Sequence, residues 1–526
     1  MLGMEWNNLA TTCLLGLIVL ILFYKFSTRN FDYWKKRGIP YVKPIPLLGS
    51  VSDFLYKPFQ DIESDRYTNL GPIYGYFEGN KPHISVGVPE LIREILVKDF
   101  SNFHTRRYVI SGNEVMDKMV SVMPGDEEWK RIRTIISPTF TTGKIKRMLG
   151  IIKDCSRTLI NNLRSETEKG KYIDAKRLYG TFTMDVIASS AFSTKIDSHN
   201  DPDNEFVKFA SKALQQSFNW KILLFMICPP ITKLIKFTFF APEVIDFFQR
   251  TTLEIIEERT KTGQTRNDFL QLLMQTAKET EDNQKSEAPE KDDITSNYGM
   301  QEDINPQLLK TITSKSLSMT ELVSQCVSFF LGGYETTAST LSFASYLLAL
   351  NPDIQEKLRQ EVDETLKDAG GELTYEAVQS MKYLDNVISE TLRIYPPLVR
   401  LDRTAEADYK LGDTGITVTK GMIVGIPTYA LHHDPKIFPE PDKFIPERFI
   451  PEERAKRNPY TYLPFGAGPR NCIAMRFALT EVKFCLAEVI ANFRIMTCPE
   501  TKVPLEFGSG EVILQPKGII VKLESR

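Results

Sequence analysis

The apolar positions of this chain follow three patterns, each of which predicts a kind of element. Residues 9–24 read LATTCLLGLIVLILFY, sixteen positions without a charge. Residues 72–88 alternate apolar and polar side chains around glycine and asparagine, which predicts a short hairpin. Apolar side chains at helical spacing dominate residues 172–260 and resume over 319–350. We therefore expect several α-helices and a short hairpin, preceded by an N-terminal transmembrane helix.

The uncharged run near the N-terminus predicts a membrane anchor at residues 1–25. A membrane span needs about 20 residues, and Trp6 to Asn8 can extend the run into the interface. Positive side chains stay on the cytosolic side, which predicts a lumenal N-terminus and a cytosolic body. A cleaved signal peptide is the alternative, but no basic segment precedes the run and no small-residue cleavage site ends it. The basic residues that follow the run are Lys25, Arg29, Lys35, Lys36 and Arg37.

The segments outside the periodic regions predict the organisation of the chain. Residues 26–50 are basic and rich in proline, which blocks helix and predicts a stiff linker, so we expect the main domain at 51–526. Residues 217–241 are apolar and aromatic with interspersed lysines, and both a core helix and a loop dipping into a membrane stay open. Residues 276–318 are charged and rich in Ser and Thr, which predicts a surface loop or insert.

Composition excludes several classes of protein. The net charge of −2 over 526 residues gives no basis for binding nucleic acid. Seven cysteines without a paired spacing argue against a secreted disulfide framework. No G-x-G-x-x-G motif follows a predicted strand, so the sequence gives no sign of a dinucleotide-binding unit.

Cys472 is the strongest chemical signal. It lies in FGAGPRNCIA at residues 465–474, where glycine and proline precede a single thiol and a helical pattern follows. A thiolate at a helix N-terminus is stabilised by the helix dipole and by free backbone N–H groups. A rigidly held thiolate next to Arg470 suits an axial ligand of haem iron, where it favours O–O cleavage. A buried, inert cysteine in a turn is the alternative interpretation.

These ten residues resemble the haem-binding signature of the cytochrome P-450 superfamily. That signature reads Phe, two residues, Gly, one residue, Arg, one residue, Cys, one residue and a small residue. Its usual final glycine is Ala474 here. The resemblance implies a mainly α fold, with one large helical domain and small β-sheets behind the N-terminal transmembrane helix. It also implies that this domain binds haem b, with Cys472 as the iron ligand and Phe465 beside the haem.

The helical region 319–350 contains Gly332, Gly333, Glu335, Thr336 and Thr337 near its middle. Two glycines inside a helix cost roughly 1 kcal/mol each, which is tolerated where something must approach the backbone. The segment resembles the oxygen-activation motif of the family. By that resemblance Thr336 supplies the hydroxyl at the oxygen site, Glu335 feeds protons through water, and Gly332 stands where alanine is frequent. A kinked structural helix is the alternative.

Three further residues resemble the family's structural triad. Glu390 and Arg393 are three residues apart and share a helix face, and Arg448 follows in the sequence PERF. A buried carboxylate between two guanidiniums can satisfy many donors in one network. The resemblance implies a structural role around the haem pocket. Exposed pairs at this spacing are common and mean little by themselves.

Several cationic positions resemble those that bind haem propionates in animal members of the family. A solvated surface arginine is the alternative for each of them. The adjacent histidines His432 and His433 cannot readily hold one ion, because neighbouring side chains diverge, and we assign them no catalysis. Phe329 and Phe330 either line the pocket or pack the core. The candidate propionate-binding residues are Arg106, Trp129, Arg133, Arg403 and Arg470.

The resemblance implies a monooxygenase that inserts one atom of O2 into a lipophilic substrate. It implies NADPH electrons from cytochrome P-450 reductase, admits cytochrome b5 as a second partner, and implies a place in the endoplasmic reticulum membrane. Lys130, Arg131, Arg476 and Lys483 are candidates for the reductase contact. Segments at 136–144, 266–275 and 468–478 look closest to insect microsomal members of the clan that clears xenobiotics, insecticides and plant toxins. An endogenous hormone or lipid hydroxylase, or a non-catalytic haem protein, is the alternative.

Overall fold

The computed structural model describes residues 2–107, 112–192, 194–214, 223–224, 227, 241–279, 316–511 and 513–526. Helices dominate these residues, and short strands form small sheets, as the sequence predicts. Most of 217–241 and of 276–318 lies outside the described residues. The helices are α1 Leu2–Thr28, α2 Phe59–Leu70, α3 Pro89–Arg93, α4 Glu114–Asp117, α5 Glu127–Ile136, α6 Thr142–Glu168, α7 Ala175–Ala191, α8 Glu205–Leu214, α9 Pro242–Thr262, α10 Phe269–Glu279, α11 Met319–Leu350, α12 Pro352–Asp368, α13 Tyr375–Ser380, α14 Lys382–Ile394, α15 Thr428–His432, α16 Pro451–Ala455 and α17 Met475–Asn492.

The strands form three small sheets in the described part of the chain. The largest has the order β1-β2-β7-β4, in which β2 and β7 are parallel and the other pairs are antiparallel. The predicted hairpin at 72–88 is its β1–β2 pair. The strands are β1 Ile73–Glu78, β2 Lys81–Val86, β3 Ile173–Asp174, β4 Leu401–Thr404, β5 Tyr409–Lys410, β6 Thr417–Val418, β7 Ile423–Ile426, β8 Phe493–Met496 and β9 Ile520–Ser525.

Helix α1 contains the predicted membrane segment. Within the described residues, Ala10–Thr28 is the one helical stretch that is long and apolar enough to cross a membrane. Only 6% of its most apolar part is buried inside the protein. The chain behind it soon joins the folded body. Trp34 is fully buried against Gly75 of β1, and the Val42 amide donates to the Gly75 carbonyl. Part of the segment predicted as a linker is therefore packed on the sheet.

Helix α11 runs through the centre of the molecule. It packs most extensively on α7 and also contacts α9, α14 and α17. Ser318 and Glu321 form a capping box at its N-terminus, which explains why the helix begins at Met319. Almost all of its side chains from Leu322 onwards are buried, with partly exposed positions gathered around 331–336. The helix continues through Gly332 and Gly333. A cavity lies beside its middle, next to Thr336.

Phe329 and Phe330 belong to the core. Phe329 stacks on Phe269 with ring centroids 4.5 Å apart, and Phe330 packs against Phe248 at 4.7 Å. Both side chains are buried. Of the two interpretations left open by the sequence, the structure supports packing over pocket lining, because each ring faces other aromatic rings.

Glu481 is an uncompensated acid in the core of α17. It is 1% exposed, its Oε1 has no hydrogen-bond partner, and burial raises its pKa well above the usual range. A carboxyl group with a raised folded pKa makes its full contribution to stability below its unfolded pKa of about 4.3, and this contribution is lost progressively as the pH rises towards the folded pKa. Glu481 therefore makes the free energy of unfolding of the protein fall as the pH rises.

We expect Glu481→Gln to be more stable than the unsubstituted protein at neutral pH, because glutamine is neutral at every pH. The advantage should widen by about 1.4 kcal/mol per pH unit between the two pKa values. Thermal scans at one fixed rate, from pH 5 to pH 8, measure it. Glu364→Gln, on the exposed face of α12, is the control. A constant difference across this range would contradict the prediction.

Candidate active site

The loop before α17 holds Cys472 by backbone contacts. The Cys472 amide donates to the Phe465 carbonyl at 2.9 Å, and the Gly466 amide donates to the Leu463 carbonyl at 3.1 Å. Gly466 and Gly468 have φ of +71° and +70°, a conformation that favours glycine. A Cβ at Gly468 would also overlap the Leu96 carbonyl oxygen. The loop is thus fixed against the segment that follows α3.

Ala474, which stands where the haem-binding signature usually has glycine, fits the backbone of the loop. Ala474 caps α17 with φ −92° and ψ 11°, which an L-residue adopts without strain. The missing glycine therefore has no conformational cost at this position.

The acidity of Cys472 reflects two opposing effects. Burial raises the pKa of its thiol, whereas a hydrogen bond from the Ala474 backbone and the charges of Arg133 and Arg106 lower it. Burial is the larger effect, and the backbone N–H of Ala474 opposes it in the direction expected for a cysteine at a helix N-terminus. A metal ion deprotonates a thiol that coordinates it.

Four guanidiniums converge near Cys472, and they bind backbone carbonyls. Arg470 donates to the carbonyls of His104, Val120 and Met123. Arg106 donates to the Arg470 carbonyl at 2.6 Å. Among the described residues, no carboxylate forms an ion pair with Arg106, Arg133, Arg403 or Arg470.

The positive charge of these four arginines is not balanced by a carboxylate among the described residues. Burial lowers the pKa of Arg470 to about 8, and Arg106, Arg403 and Arg133 add repulsion. Burial and Arg106 likewise lower the pKa of Arg403 to about 9, and its buried Nε has no partner. Arg403 and Arg470 are buried, and Arg106 and Arg133 are half-buried beside them. Positive charges gathered in this way favour a bound anion. A dianionic group such as the propionates of haem fits this donor set.

Trp129 supports the cluster in a different way from the one predicted. Its indole N–H donates to the Val120 carbonyl at 3.2 Å, so this donor is already used. The Arg470 guanidinium lies over the ring, 4.1 Å from its centroid. Trp129 therefore orients Arg470 by a cation–π contact. Arg133 donates to both the carbonyl and the side chain of Asn471, next to Cys472.

A cavity separates the cysteine loop from α11. Between Phe465 of the loop and Thr336, Thr337 and Thr340 of α11 lies about 300 Å³ of space, which includes open solvent, with apolar side chains around it. The Thr336 hydroxyl donates to the Gly332 carbonyl at 2.7 Å, and nothing lies within 4 Å of a Cβ built on Gly332. The remaining lining residues are Ile388, Leu392, Pro397, Ala478, Leu479 and Val482.

Glu335 is poised to hold a proton. Burial raises the pKa of its carboxyl group, Glu511 adds to the effect, and Lys176 and the Ser339 hydroxyl oppose it. The Ser339 hydroxyl donates to Glu335 Oε1 at 3.4 Å. A carboxyl group that stays protonated to higher pH than usual suits proton delivery.

The predicted triad is assembled and buried. Arg393 donates to both oxygens of Glu390, at 2.7 and 2.9 Å, and both side chains are 0% exposed. Arg448 Nε donates to Glu390 Oε1 at 3.3 Å, and the Ile445 amide donates to the same oxygen at 3.0 Å. The pair has neither the exposure nor the freedom of a surface salt bridge.

A second buried network was not predicted. Arg107 donates to both oxygens of Glu78 and, through Nε, to Asp402 at 3.1 Å, and Arg400 donates to Asp402 at 2.9 Å. Burial opposes ionisation of Asp402, but Arg400 and Arg107 outweigh it and lower its pKa to about 2. Alternation along β4 could have revealed this network, since Asp402 and Arg403 point to opposite faces.

One candidate for the reductase contact is wrong. Lys483 is 0% exposed and forms an ion pair with Asp385 at 2.5 Å. It sits inside the protein because α17 packs against α13 and α14 there.

The half-buried Cys472 lies in the loop whose Phe465 lines the cavity, and guanidiniums lie nearby. The described residues contain no group of three metal-binding side chains, so further ligands for an iron at Cys472 would come from a prosthetic group. The residues of this site fit a haem group, whose iron the Cys472 sulfur would hold.

The chain belongs to the cytochrome P450 family. The family's model matches residues 39–301 and 290–523. The chain is 39% identical to mouse cytochrome P450 3A25 over 513 residues, which covers 96% of this chain and 95% of the relative. It is 39% identical to human cytochrome P450 3A7 over 525 residues, covering 99% and 98%. Dog cytochrome P450 3A12 is 38% identical over 521 residues, covering 98% and 97%. The protein is a cytochrome P450 monooxygenase.

The two glycines of the cysteine loop provide a matched prediction. Gly466→Ala and Gly468→Ala both place a Cβ at φ near +70°, at roughly 1–2 kcal/mol each. Only Gly468→Ala also overlaps the Leu96 carbonyl. We expect a larger fall in the unfolding midpoint and in the ratio of haem to protein absorbance for Gly468→Ala. Equal losses in both variants would contradict the importance of this contact.

Proposed function

We propose that this protein binds haem b through Cys472 and oxidises foreign lipophilic compounds with NADPH electrons from a flavoprotein reductase. The proposal rests on one arrangement: Cys472 and Thr336 belong to segments that face each other across a cavity. Near the cysteine lies a cluster of guanidiniums that bind backbone carbonyls and, among the described residues, no carboxylate. Toxin and insecticide clearance follows from the resemblance to insect microsomal members. Cytochrome b5 is a second electron donor in this proposal.

Haem bound through a thiolate supplies the activation of O2 and the transfer of one oxygen atom to an unactivated bond. In this proposal the Cys472 sulfur holds the iron, and Arg106, Arg133, Arg403 and Arg470 neutralise the propionates. The loop carbonyls keep Cys472 oriented, and Phe465 shields the cavity on the cysteine side.

Protons enter from the α11 side in this proposal. Glu335 holds a proton on its carboxyl group because burial disfavours the anion. The Thr336 hydroxyl, which already donates to Gly332, offers its oxygen lone pairs to a water or to the reacting oxygen. The apolar walls formed by Ile388, Leu392 and Val482 exclude bulk water and suit a lipophilic substrate.

The proposed location is the endoplasmic reticulum membrane, with α1 as a single-pass anchor in membrane lipid and the body in the cytosol. The basic residues that follow α1 support this orientation. Since Lys483 is buried, three candidates for the reductase contact remain. Lys130 pairs with Glu127 and Arg131 with Glu321, whereas Arg476 is partly exposed beyond the cysteine loop.

Carbon monoxide spectroscopy tests the ligand. We expect the reduced, carbon monoxide-treated protein to show a Soret band shifted far to the red, and Cys472→Ser to lose the shift entirely. Cys498→Ser, at another half-buried cysteine, is the control and should keep it. The same wild-type preparation should consume NADPH when reductase and a lipophilic compound are present. No consumption with any such compound would rule out the monooxygenase proposal.

Glu335→Gln tests proton delivery. We expect it to keep haem and the red-shifted band but to form roughly tenfold less product per NADPH, as for the loss of a general acid. Hydrogen peroxide should appear in place of product. A variant that couples NADPH to product as well as the wild type would contradict the role.

Glu511→Gln is the electrostatic control for Glu335. Glu511 raises the pKa of Glu335, so removing its charge should lower that pKa. Product per NADPH should then stay near the wild-type value at low pH and begin to fall at a lower pH. An unchanged pH profile would show that the two carboxyl groups are not coupled.

A further inference from the structure

His432 lies between the Glu390–Arg393 pair and the loop that carries Cys472. It is 0% exposed at the end of α15. Its ring Nδ1 lies 3.2 Å from the Arg393 carbonyl, and the Leu463 amide donates to its Nε2 at 2.9 Å. Arg393 Nη1 returns a hydrogen bond to the His432 carbonyl at 2.8 Å. His432 and Arg393 therefore bind each other reciprocally.

The partners of the ring determine its tautomer. A carbonyl can only accept, so Nδ1 carries the proton that it shares with Arg393, and Nε2 is left as the acceptor for Leu463. Burial, His433 and Arg393 all hold the pKa of His432 well below its usual range, which keeps the ring neutral. A charged ring would place an N–H against the Leu463 N–H.

The contact with Leu463 continues into the cysteine loop. The Leu463 carbonyl accepts from the Gly466 amide, and the Phe465 carbonyl accepts from the Cys472 amide. His432 Nε2 is thus the side-chain acceptor at the point where this loop leaves the core. Tyr462, the preceding residue, donates to the Ser389 carbonyl on α14 at 2.8 Å. Two side chains tie this turn of the chain to α14.

We propose that His432 is a positioning residue that fixes the cysteine loop to the Glu390–Arg393 pair through its Nε2. This inference rests on the proposed function only in taking Cys472 as the iron ligand. Its consequence is selective: loss of the Nε2 acceptor should let the loop shift, so that haem stays bound while the sulfur ligand is lost in part of the molecules.

Two amide substitutions separate the two ends of the ring. Glutamine can present an oxygen where Nε2 lies, and asparagine can present an N–H where Nδ1 lies. His432→Gln therefore keeps the acceptor for Leu463, whereas His432→Asn keeps the donor to Arg393 and loses that acceptor. His433 provides the matched control, because its ring bonds to the Tyr429 carbonyl and stacks on Tyr429 instead.

The measurement is the reduced, carbon monoxide-treated spectrum of the holoenzyme at equal haem content. We expect His432→Asn to raise the ratio of unshifted to red-shifted Soret absorbance roughly tenfold, the size expected when a buried donor loses its acceptor. His432→Gln and His433→Asn should stay near the wild-type ratio. Equal ratios in His432→Asn and His432→Gln, whether both near wild type or both raised, would overturn the proposal.

Amide hydrogen exchange of the wild-type holoenzyme adds a test that needs no variant. The Leu463 amide should exchange as slowly as the buried amides of α14, because its acceptor is inside the core. Rapid exchange at Leu463 would overturn the proposal even if the variants failed to fold. A wild-type protein with no red-shifted band would instead refute Cys472 as the ligand and leave the His432 contacts untouched.

Discussion

The central constraint on this molecule is the burial of positive charge near Cys472. Arg106, Arg133, Arg403 and Arg470 are bound by carbonyls, not by carboxylates, and burial lowers their pKa values. Repulsion from neighbouring guanidiniums adds to the effect at Arg133, Arg403 and Arg470. Carbonyls orient a guanidinium but leave its charge uncompensated. A bound dianion would remove this repulsion, so we expect haem binding and the stability of this region to be linked.

The same constraint explains the network of Glu78, Arg107 and Asp402. Arg106 and Arg107 are neighbours in sequence, as are Asp402 and Arg403, and each pair sends one side chain towards Cys472 and the other into the network. Thr105 and Thr404 form an isolated bridge next to them. On one face of these segments, Arg107 and Arg400 form ion pairs with Asp402 that fix the backbone. On the other face, Arg106 and Arg403 bind backbone carbonyls. Such pairs define a conformation more reliably than they add stability.

Sequence patterns predicted the parts of the fold that depend on local periodicity and on short signatures. The bounds of α11 and the β1–β2 hairpin follow from apolar spacing, and Glu390, Arg393 and Arg448 meet as predicted. Burial could not be read in the same way. Lys483 has a charged side chain on a helix but lies in the core with Asp385, and Trp129 uses its N–H on a backbone carbonyl. Lys483 is buried by side chains about a hundred positions earlier in the chain, and Trp129 contacts the loop that precedes its own helix. Neither contact follows from a local sequence pattern.

The histidines show why such contacts matter for chemistry. His432 and His433 are adjacent, and nothing in their spacing distinguishes them, yet α15 directs one ring into the core and stacks the other on Tyr429. The buried ring has one donor and one acceptor, and both have partners in different segments. A neutral imidazole can join a carbonyl to an amide in this way, whereas a carboxylate or an amine offers only one kind of partner. This requirement explains a histidine at a position where catalysis needs none.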